Sequence, residues 1–489
     1  MKKRILLVVT TAVLLTGLPP SAGSKPKRGW VSPFLKVGSR ATPSGAFSAN
    51  YGLFTCQLMG QSPDETCYDP YQVRHAYGID TLVSAGFDGR GKTIVIIDSF
   101  QSPNIKQQLN IYNTFYGLPS LNGLGGPASP ALGTFTQIAP DGLTPFDPTN
   151  DDMIGWAEEI SLDVLWSHAI APGANIVLVL AKSDADADIL SATKYAVDHN
   201  LGNVISQSFG ENESCMDPTL LTQQHQVFAD ATTRGITLFA SAGDFGSAQP
   251  TCDGSSLVQA VSTPASDALV SAVGGTELHA ARYCLSALGC NPAANPAPGT
   301  YQGEVVWNEP EFGSTGGGFS VVYDEPPYQK GTIHGGKQRG VPDISYSAAV
   351  LHGLLTYLDI PGIPAGYYSF GGTSAGSPQW AALLAIAGQK AGYSLGYINT
   401  ALYHIGQAQS HYSASFFDVT SGNNSFFSIP GFSAGPGWDP ATGLGSPSAA
   451  QLVNYLIQFV SPGDGVSAIN STKPHPNGNP SAPGHQRPH

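Results

Sequence analysis

Charge is what this sequence has least of. Asp, Glu, Lys and Arg make up 12% of the 489 residues, about half of the roughly 25% usual in soluble globular proteins. With 22 Lys and Arg against 35 Asp and Glu, the formal net charge is -13, which excludes the basic surface that nucleic acid demands. A chain with few ion pairs loses little when carboxylates protonate, so the scarcity is compatible with an acidic medium. After the N-terminal stretch no run of 18 or more apolar residues occurs, which argues against a membrane span. No Cys-x-x-Cys spacing occurs, so zinc is poorly served. The run Gly316, Gly317, Gly318 lacks the Lys-Ser/Thr that a phosphate loop needs. None of the 12 histidines opens a helix from a His-Gly-Thr turn.

The N-terminal "MKKRILLVVTTAVLLTGLPPSAGS" joins a basic cluster, Lys2, Lys3 and Arg4, to an apolar run and small residues. It reads as a secretory signal peptide over residues 1–23, so the mature protein is expected outside the cell. Six cysteines form an even set suited to an oxidising compartment, and the short loops between them favour Cys56 with Cys67, Cys215 with Cys252 and Cys284 with Cys290. Residues 24–67, rich in Pro, Gly and Ser, are expected as a short surface arm or linker. Residues 461–489 are poor in aliphatic side chains and are expected to be disordered.

Residues 68–460 alternate. "KTIVIID", "ANIVLVLA", "NVISQSFG" and "ITLFASAG" are apolar, β-branched runs, and helical stretches such as "DMIGWAEEISLDVLWSHAI" and "DADILSATKYAVDHN" separate them. Strands apolar throughout and spaced by helices predict an α/β domain whose parallel sheet is covered on both faces. Ligands of such sheets gather at the carboxyl ends of the strands, where Asp98, Ser208, Asp244 and Ser374 all fall.

In "GGTSAGSPQW" a strand runs through a Gly/Ser turn into an apolar helix, a position suited to a nucleophile at Ser374, which needs a base. His168, in "WSHAIAPGA", lies at the end of its helix, so a triad with Asp98 can be assembled only on paper. Glu159 and Asp163, in "AEEISLDVLW", are four residues apart and share one helix face. Two carboxyls so placed tend to hold a proton between them and to titrate as a unit. An isolated pair of this kind is otherwise a solvated acidic face. Asp244, in "FASAGDFGS", is a glycine-flanked acid at a strand end, where it aims into a cleft or makes its own turn bonds.

Together with "EISLDV", "VISQSFGENE", "SAGDFGS", "SAVGGTEL", "VVWNEPEFGSTGGGFS", "RGVPDIS", "GGTSAGSP" and "GPGWDPATGLGSP", these residues resemble the sedolisin family of serine-carboxyl peptidases. The resemblance extends over about four-fifths of the chain. It implies a subtilisin-like single large domain with a mostly parallel central sheet. It also implies Ser374 as nucleophile, Glu159 as its base, Asp163 orienting Glu159, and Asp244 as the oxyanion-hole acid. "SQSFG" and "STGGGFS" would line the substrate. A calcium site is implied at Asp418 and Asp439 with backbone oxygens of Val419, Gly435 and Gly437; hard oxygen donors suit that ion. The sequence departs from the family pattern in the short arm at residues 24–67, where the resemblance implies a full prodomain, and at Gly371-Gly372, where Ser-Gly is more usual; Asp98 is assigned a structural role. The expected partners are protein or peptide substrates, met by a monomer, with no nucleic acid and no membrane. A carboxyl donates to an oxyanion only when protonated, which places the expected activity at roughly pH 3 to 5, as an endopeptidase. The competing expectations are a neutral subtilisin-type peptidase using Asp98 and His168, and an inactive secreted binding protein.

Overall fold

The computed structural model describes residues 29–475 except 49, 63, 64 and 334–336. The expected signal peptide at residues 1–23 and the end of the expected tail, residues 476–489, lie outside the described residues.

Short β-branched runs form the centre. β1 (Thr93–Ser99), β2 (Phe135–Ile138), β3 (Asn175–Ala181), β4 (Val204–Gln207), β5 (Thr237–Ser241), β6 (Ser271–Ala280), β7 (Tyr301–Val306) and β8 (Ile344–Ser347) make an eight-stranded sheet. Its order is β7-β6-β5-β4-β1-β3-β2, with β8 also paired to β6; β7 alone runs antiparallel. The residues of β1 from Ile94 to Ser99 are all buried, as expected where helices cover both faces. This is the mostly parallel α/β architecture expected from the alternating pattern.

The helices begin where the sequence supplies caps. Asn150 Oδ1 accepts from the backbone N–H of Asp152 and Met153 at 2.9 and 3.2 Å, and Asp151 and Asp152 place negative charge at the positive end of the helix Asp151–Ile170. This helix packs beside the helix Gly376–Ala391 against β1, while Asp186–Asp198 and Pro218–Thr233 pack together on the sheet as well. From Glu159 to Ile170 every residue of the first helix is buried. Glu159 and Asp163 are therefore core residues of the body, and the solvated-face alternative does not apply.

The three expected disulfides, Cys56–Cys67, Cys215–Cys252 and Cys284–Cys290, are formed. Two stretches depart from expectation. Residues expected as a surface arm or linker are integral to the body. Leu53, Phe54, Cys56 and Leu58 are buried, and Thr66–Tyr68 pairs in parallel with His352–Leu354. The tail is not disordered throughout, because Asp464–Ser471 forms a helix packed on Pro218–Thr233. Gly465 and Ala468 face inward, Ile469 packs half-buried against the core, and Asp464 accepts from the Ser461 N–H at 3.1 Å.

Candidate active site

Two strand ends and two helices converge on Ser374. β5 delivers Asp244 just beyond its carboxyl end, the segment after β4 delivers Ser208, and the buried helix Asp151–Ile170 delivers Glu159 and Asp163. Ser374 itself lies in the turn Thr373–Ala375 that opens the helix Gly376–Ala391. Each of these side chains is fully buried.

Ser374 Oγ donates to Glu159 Oε2 at 2.9 Å and lies 3.0 Å from the Ser208 carbonyl oxygen. The Glu159 and Asp163 carboxyls act on each other electrostatically, and the Ser208 hydroxyl lies 2.8 and 3.0 Å from the two Asp163 oxygens. Burial pushes the Glu159 carboxyl well above its ordinary range, with Asp163 and Asp98 adding to the shift. Burial likewise pushes Asp163 up to about 7, against the hydrogen bond from Ser208 and the influence of Glu159. Such a pair keeps a proton between its members, so a proton taken from Ser374 can be accommodated by shifting another from Glu159 to Asp163.

Asp98, expected to be structural, belongs to this cluster. Neither of its oxygens has a hydrogen-bond partner, and burial together with Asp163 drives its carboxyl far upward, into the neutral form. His168 contributes nothing to Ser374. Its Nε2 lies 2.8 Å from the Pro119 carbonyl oxygen, and burial pushes its pKa down to about 4. It also sits about 13 Å further along the helix than Glu159.

Asp244 faces Ser374 from the other side. Its Oδ1 accepts from Thr373 N–H at 2.8 Å and Thr373 Oγ1 at 2.9 Å, while Oδ2 is buried without a hydrogen-bond partner. Burial raises its pKa to about 6, opposed first by the Lys36 ammonium 3.9 Å from Oδ2. Gly372 makes this approach possible. Its φ is 95°, and a Cβ there would lie 2.7 Å from Asp244 Oδ2.

Between these groups lies a stretch of the chain's own arm, whose role no local sequence signal marked. Ser374 N–H donates to the Phe34 carbonyl oxygen at 3.0 Å, and Phe34 N–H donates to the Ser208 carbonyl oxygen at 3.1 Å. Ser32 and Pro33 pair antiparallel with Gly210 and Phe209, and Lys36 and Val37 pair with Gly371 and Phe370. "SQSFG" thus lies against an extended backbone. In "STGGGFS", Gly316 N–H donates to the Gly243 carbonyl oxygen at 2.6 Å, which places that segment beside the Asp244 turn.

The expected calcium residues also converge. Gly437 N–H lies 3.2 Å from both Asp418 oxygens, Gly435 N–H lies 3.2 Å from Asp439 Oδ2, and Asp439 Oδ1 accepts from Ala441 and Thr442 N–H. Two carboxylates gathered on one glycine loop suit a hard cation, and the loop peptides that now donate N–H carry the carbonyls such an ion would use. Among the described residues a second grouping, Glu277 with His279 and His352, has its ligand atoms within 4.8 Å of one another; no sequence spacing signalled it.

No family model matches the chain. It is 32% identical over 419 residues to kumamolisin of Bacillus sp. (strain MN-32), covering 83% of this chain and 66% of that protein. It is also 32% identical over 450 residues to sedolisin of Pseudomonas sp. (strain 101), covering 87% and 65%. Tripeptidyl-peptidase 1 of Rattus norvegicus is 28% identical over 324 residues, covering 61% and 52%. The chain thus spans somewhat under two thirds of the length of kumamolisin and sedolisin, and about half that of the tripeptidyl-peptidase. The structure of Pseudomonas sedolisin complexed with two molecules of pseudo-iodotyrostatin superposes with a TM-score of 0.66 at 28% identity, covering 81% of this chain and all of that one.

Proposed function

This chain belongs to the sedolisin family of serine-carboxyl peptidases, and from that premise we propose that it is a secreted, acid-active peptidase that cleaves peptide bonds through an acyl-enzyme on Ser374. The observation that carries the reading is the peptide carbonyl of Phe34. It receives the Ser374 N–H, as a substrate carbonyl would, while Ser374 Oγ is bonded to Glu159.

Ser374 Oγ attacks the substrate carbonyl carbon as Glu159 takes its proton, with Asp163 absorbing the shift and Ser208 holding Asp163 in place. The oxyanion is met by Ser374 N–H and by Asp244, which donates through Oδ2 only when protonated. Glu159 then returns the proton to the leaving amine, and water cleaves the ester. Asp244 loses its proton as pH rises through about 6, so activity falls over that range. Asp98, neutral beside Asp163, keeps a further negative charge out of the cluster.

Endopeptidase action is supported by the path of the arm. Backbone from Trp30 to Arg40 passes on both sides of Ser374, and Val31 N–H still finds the Asp184 carbonyl at 2.9 Å. The similarity to tripeptidyl-peptidase 1 favours removal of tripeptides instead, but that requires a block beyond the third residue before the cleaved bond, where Val31 is accommodated. Asp418 and Asp439, with carbonyls of Val419, Gly435 and Gly437, would hold a calcium ion that ties the loop 435–443 to the strand pair Phe416–Phe417 and Ser446–Pro447. Export agrees with three disulfides and with the absence, among the described residues, of a helix long and apolar enough to cross a membrane.

Hydrolysis of an internally quenched peptide from pH 2 to 9, alongside Ser374→Ala, tests the reading. An acid maximum abolished by the substitution is expected. An alkaline maximum would remove Asp244 from its role and overturn the acid mechanism.

A further inference from the structure

We propose that Glu277, His279 and His352 form a binding site for a divalent cation of the zinc class, which ties the central sheet to the strand His352–Leu358 beside it. The site is separate from Ser374 and its acids and from the loop of Asp418 and Asp439, so the proposal does not depend on the peptidase reading.

Two strands present the three side chains. Glu277 and His279 are two residues apart on β6 and so project from the same face of the sheet, while Leu278 and Ala280 are buried on the other. The pairing of β6 with β7 shifts register between His279 and Ala280, an irregularity of the kind that re-aims a side chain. His352 opens its strand, and the backbone there is fixed from several sides. The Glu309 carboxylate accepts from the Val350 and Leu351 N–H at 2.8 and 2.9 Å, and Thr66 N–H donates to the Leu351 carbonyl at 2.7 Å. The strand Thr66–Tyr68, which pairs with His352–Leu354, is itself anchored by the Cys56–Cys67 disulfide. Donors carried on backbone held in this way are preorganised, as a metal site requires.

The spacing of the donors distinguishes a metal site from an ion pair. Glu277 Oε1 lies 3.2 Å from His279 Nε2 and 3.3 Å from His352 Nδ1. Charge-assisted hydrogen bonds close to about 2.7–2.9 Å. Elsewhere in the molecule His75 meets Asp80 at 2.7 Å, His225 meets Asp267 at 2.9 Å and His475 meets Asp324 at 3.0 Å. Donors about 2.1 Å from a tetrahedral ion stand about 3.4 Å from one another, close to the separations at Glu277. His352 Nδ1 is buried and makes no hydrogen bond among the described residues. The two imidazoles meet edge to face, their planes at 69° and their centres 4.8 Å apart, and each brings a nitrogen to the same carboxylate oxygen.

The donor set selects the ion. Calcium and magnesium take oxygen ligands, whereas imidazole suits zinc, copper and nickel. The six cysteines are tied in disulfides and offer no competing thiolate. The Glu277, His279 and His352 side chains are 22%, 42% and 25% exposed, so solvent reaches the cluster and water completes a four-coordinate ion. Arg282, the cation acting on His352, has its guanidinium turned to the Ser62 carbonyl, 2.7 Å away. A bound ion joins β6 to the strand His352–Leu358, whose antiparallel neighbour Gly366–Gly371 runs on into the Ser374 turn. An ion that binds only the folded form stabilises that form.

The test uses the full chain carrying Ser374→Ala, stripped with a chelator and titrated at pH 7.5 with zinc chloride, with calorimetric stoichiometry and melting temperature as readouts. Uptake of a single equivalent is expected, together with a melting temperature that rises with zinc, returns on chelation and is unaffected by competing calcium. Adding Glu277→Gln, His279→Gln or His352→Gln is expected to abolish the uptake and the shift, and adding Asp418→Asn to leave both in place. His279 is the most exposed of the three, so His279→Gln is expected to melt with its parent when metal-free, and it carries the decision. Cobalt in place of zinc is expected to give the intense visible absorption of a four-coordinate site in the parent and to lose it in His279→Gln. Equal zinc uptake by parent and His279→Gln would overturn the proposal. So would the absence of uptake at a hundredfold excess of zinc.

Discussion

Asp343 and Asp98 are both fully buried acids, and they are satisfied in opposite ways. Asp343 takes both arms of Arg339, at 2.7 and 2.6 Å, together with the Tyr403 hydroxyl and the Ala272 N–H. Asp267 is similar. Burial works to raise its pKa, yet His225, the Leu269 N–H and the Tyr323 hydroxyl together hold it below the ordinary value. Around Ser374 the donors are missing: both oxygens of Asp98, Oε1 of Glu159 and Oδ2 of Asp244 have no hydrogen-bond donor. A buried carboxylate costs several kcal/mol unless it is paired, so at the first two sites the protein supplies donors and at the others a proton must take their place. The acids that lack donors are the ones poised to move protons.

The largest effect that follows separates the two sets by function. Glu159→Gln keeps size and buried packing but cannot accept a proton from Ser374, so kcat on a peptide in acid is expected to fall by about 10²- to 10⁴-fold, with the melting temperature little changed. Activity within a few-fold of the parent would remove Glu159 as the base.

The converse substitution is Asp343→Asn. It strands the buried Arg339 guanidinium and is expected to cost about 3 to 5 kcal/mol in denaturant unfolding, with turnover per folded molecule retained. A loss of turnover without a loss of stability would mean that the division drawn between these acids is false.

A smaller and opposite-looking effect concerns pH and stability. Burial raises Glu213 and Asp163 to about 7 and Asp244 to about 6, above the values near 4 that such acids have when unfolded. The folded state then binds more protons than the unfolded state between those limits. The stability due to these groups is fully present in acid and is lost as pH rises through 6 to 7. The melting temperature of the Ser374→Ala protein, which cannot digest itself, is expected to be higher at pH 4 than at pH 7. The reverse order would show that these carboxyls are ionised in the folded protein.

How much of this was legible beforehand depended on range along the chain. Glu159 and Asp163 are one helical turn apart, and Ser374 sits at a strand-to-helix turn, so local spacing brought each into view. The apolar runs gave the strands, and short loops gave the disulfide pairs. Asp98 and Ser208 were visible as strand-end residues, but that they close around Asp163 depends on β1 and β4 being neighbours in the sheet. The arm was illegible for the same reason. The partners of Ser32, Phe34 and Lys36 are Gly210, Ser374 and Asp244, far away in sequence, and a Pro/Gly/Ser-rich composition describes a linker and a strand in a cleft equally well. The tail helix escaped because its inward face is mostly small, Gly465 and Ala468, with Ile469 as its one inward-packed aliphatic residue.

Asp439 is buried and Asp418 exposed, and each is met by peptide N–H groups while both meet at one loop. If that loop holds calcium, the ion binds the folded form alone and stabilises it by mass action, about 2.7 kcal/mol at one hundred times its dissociation constant. Melting of the Ser374→Ala protein at neutral pH is then expected to shift upward with calcium, to return on chelation, and to respond to calcium in neither Asp418→Asn nor Asp439→Asn. Equal shifts in the parent and both variants would place the ion elsewhere. The grouping of Glu277 with His279 and His352 offers imidazole nitrogens that suit zinc better than calcium, so repeating the titration with zinc distinguishes a hard-cation loop from that second cluster.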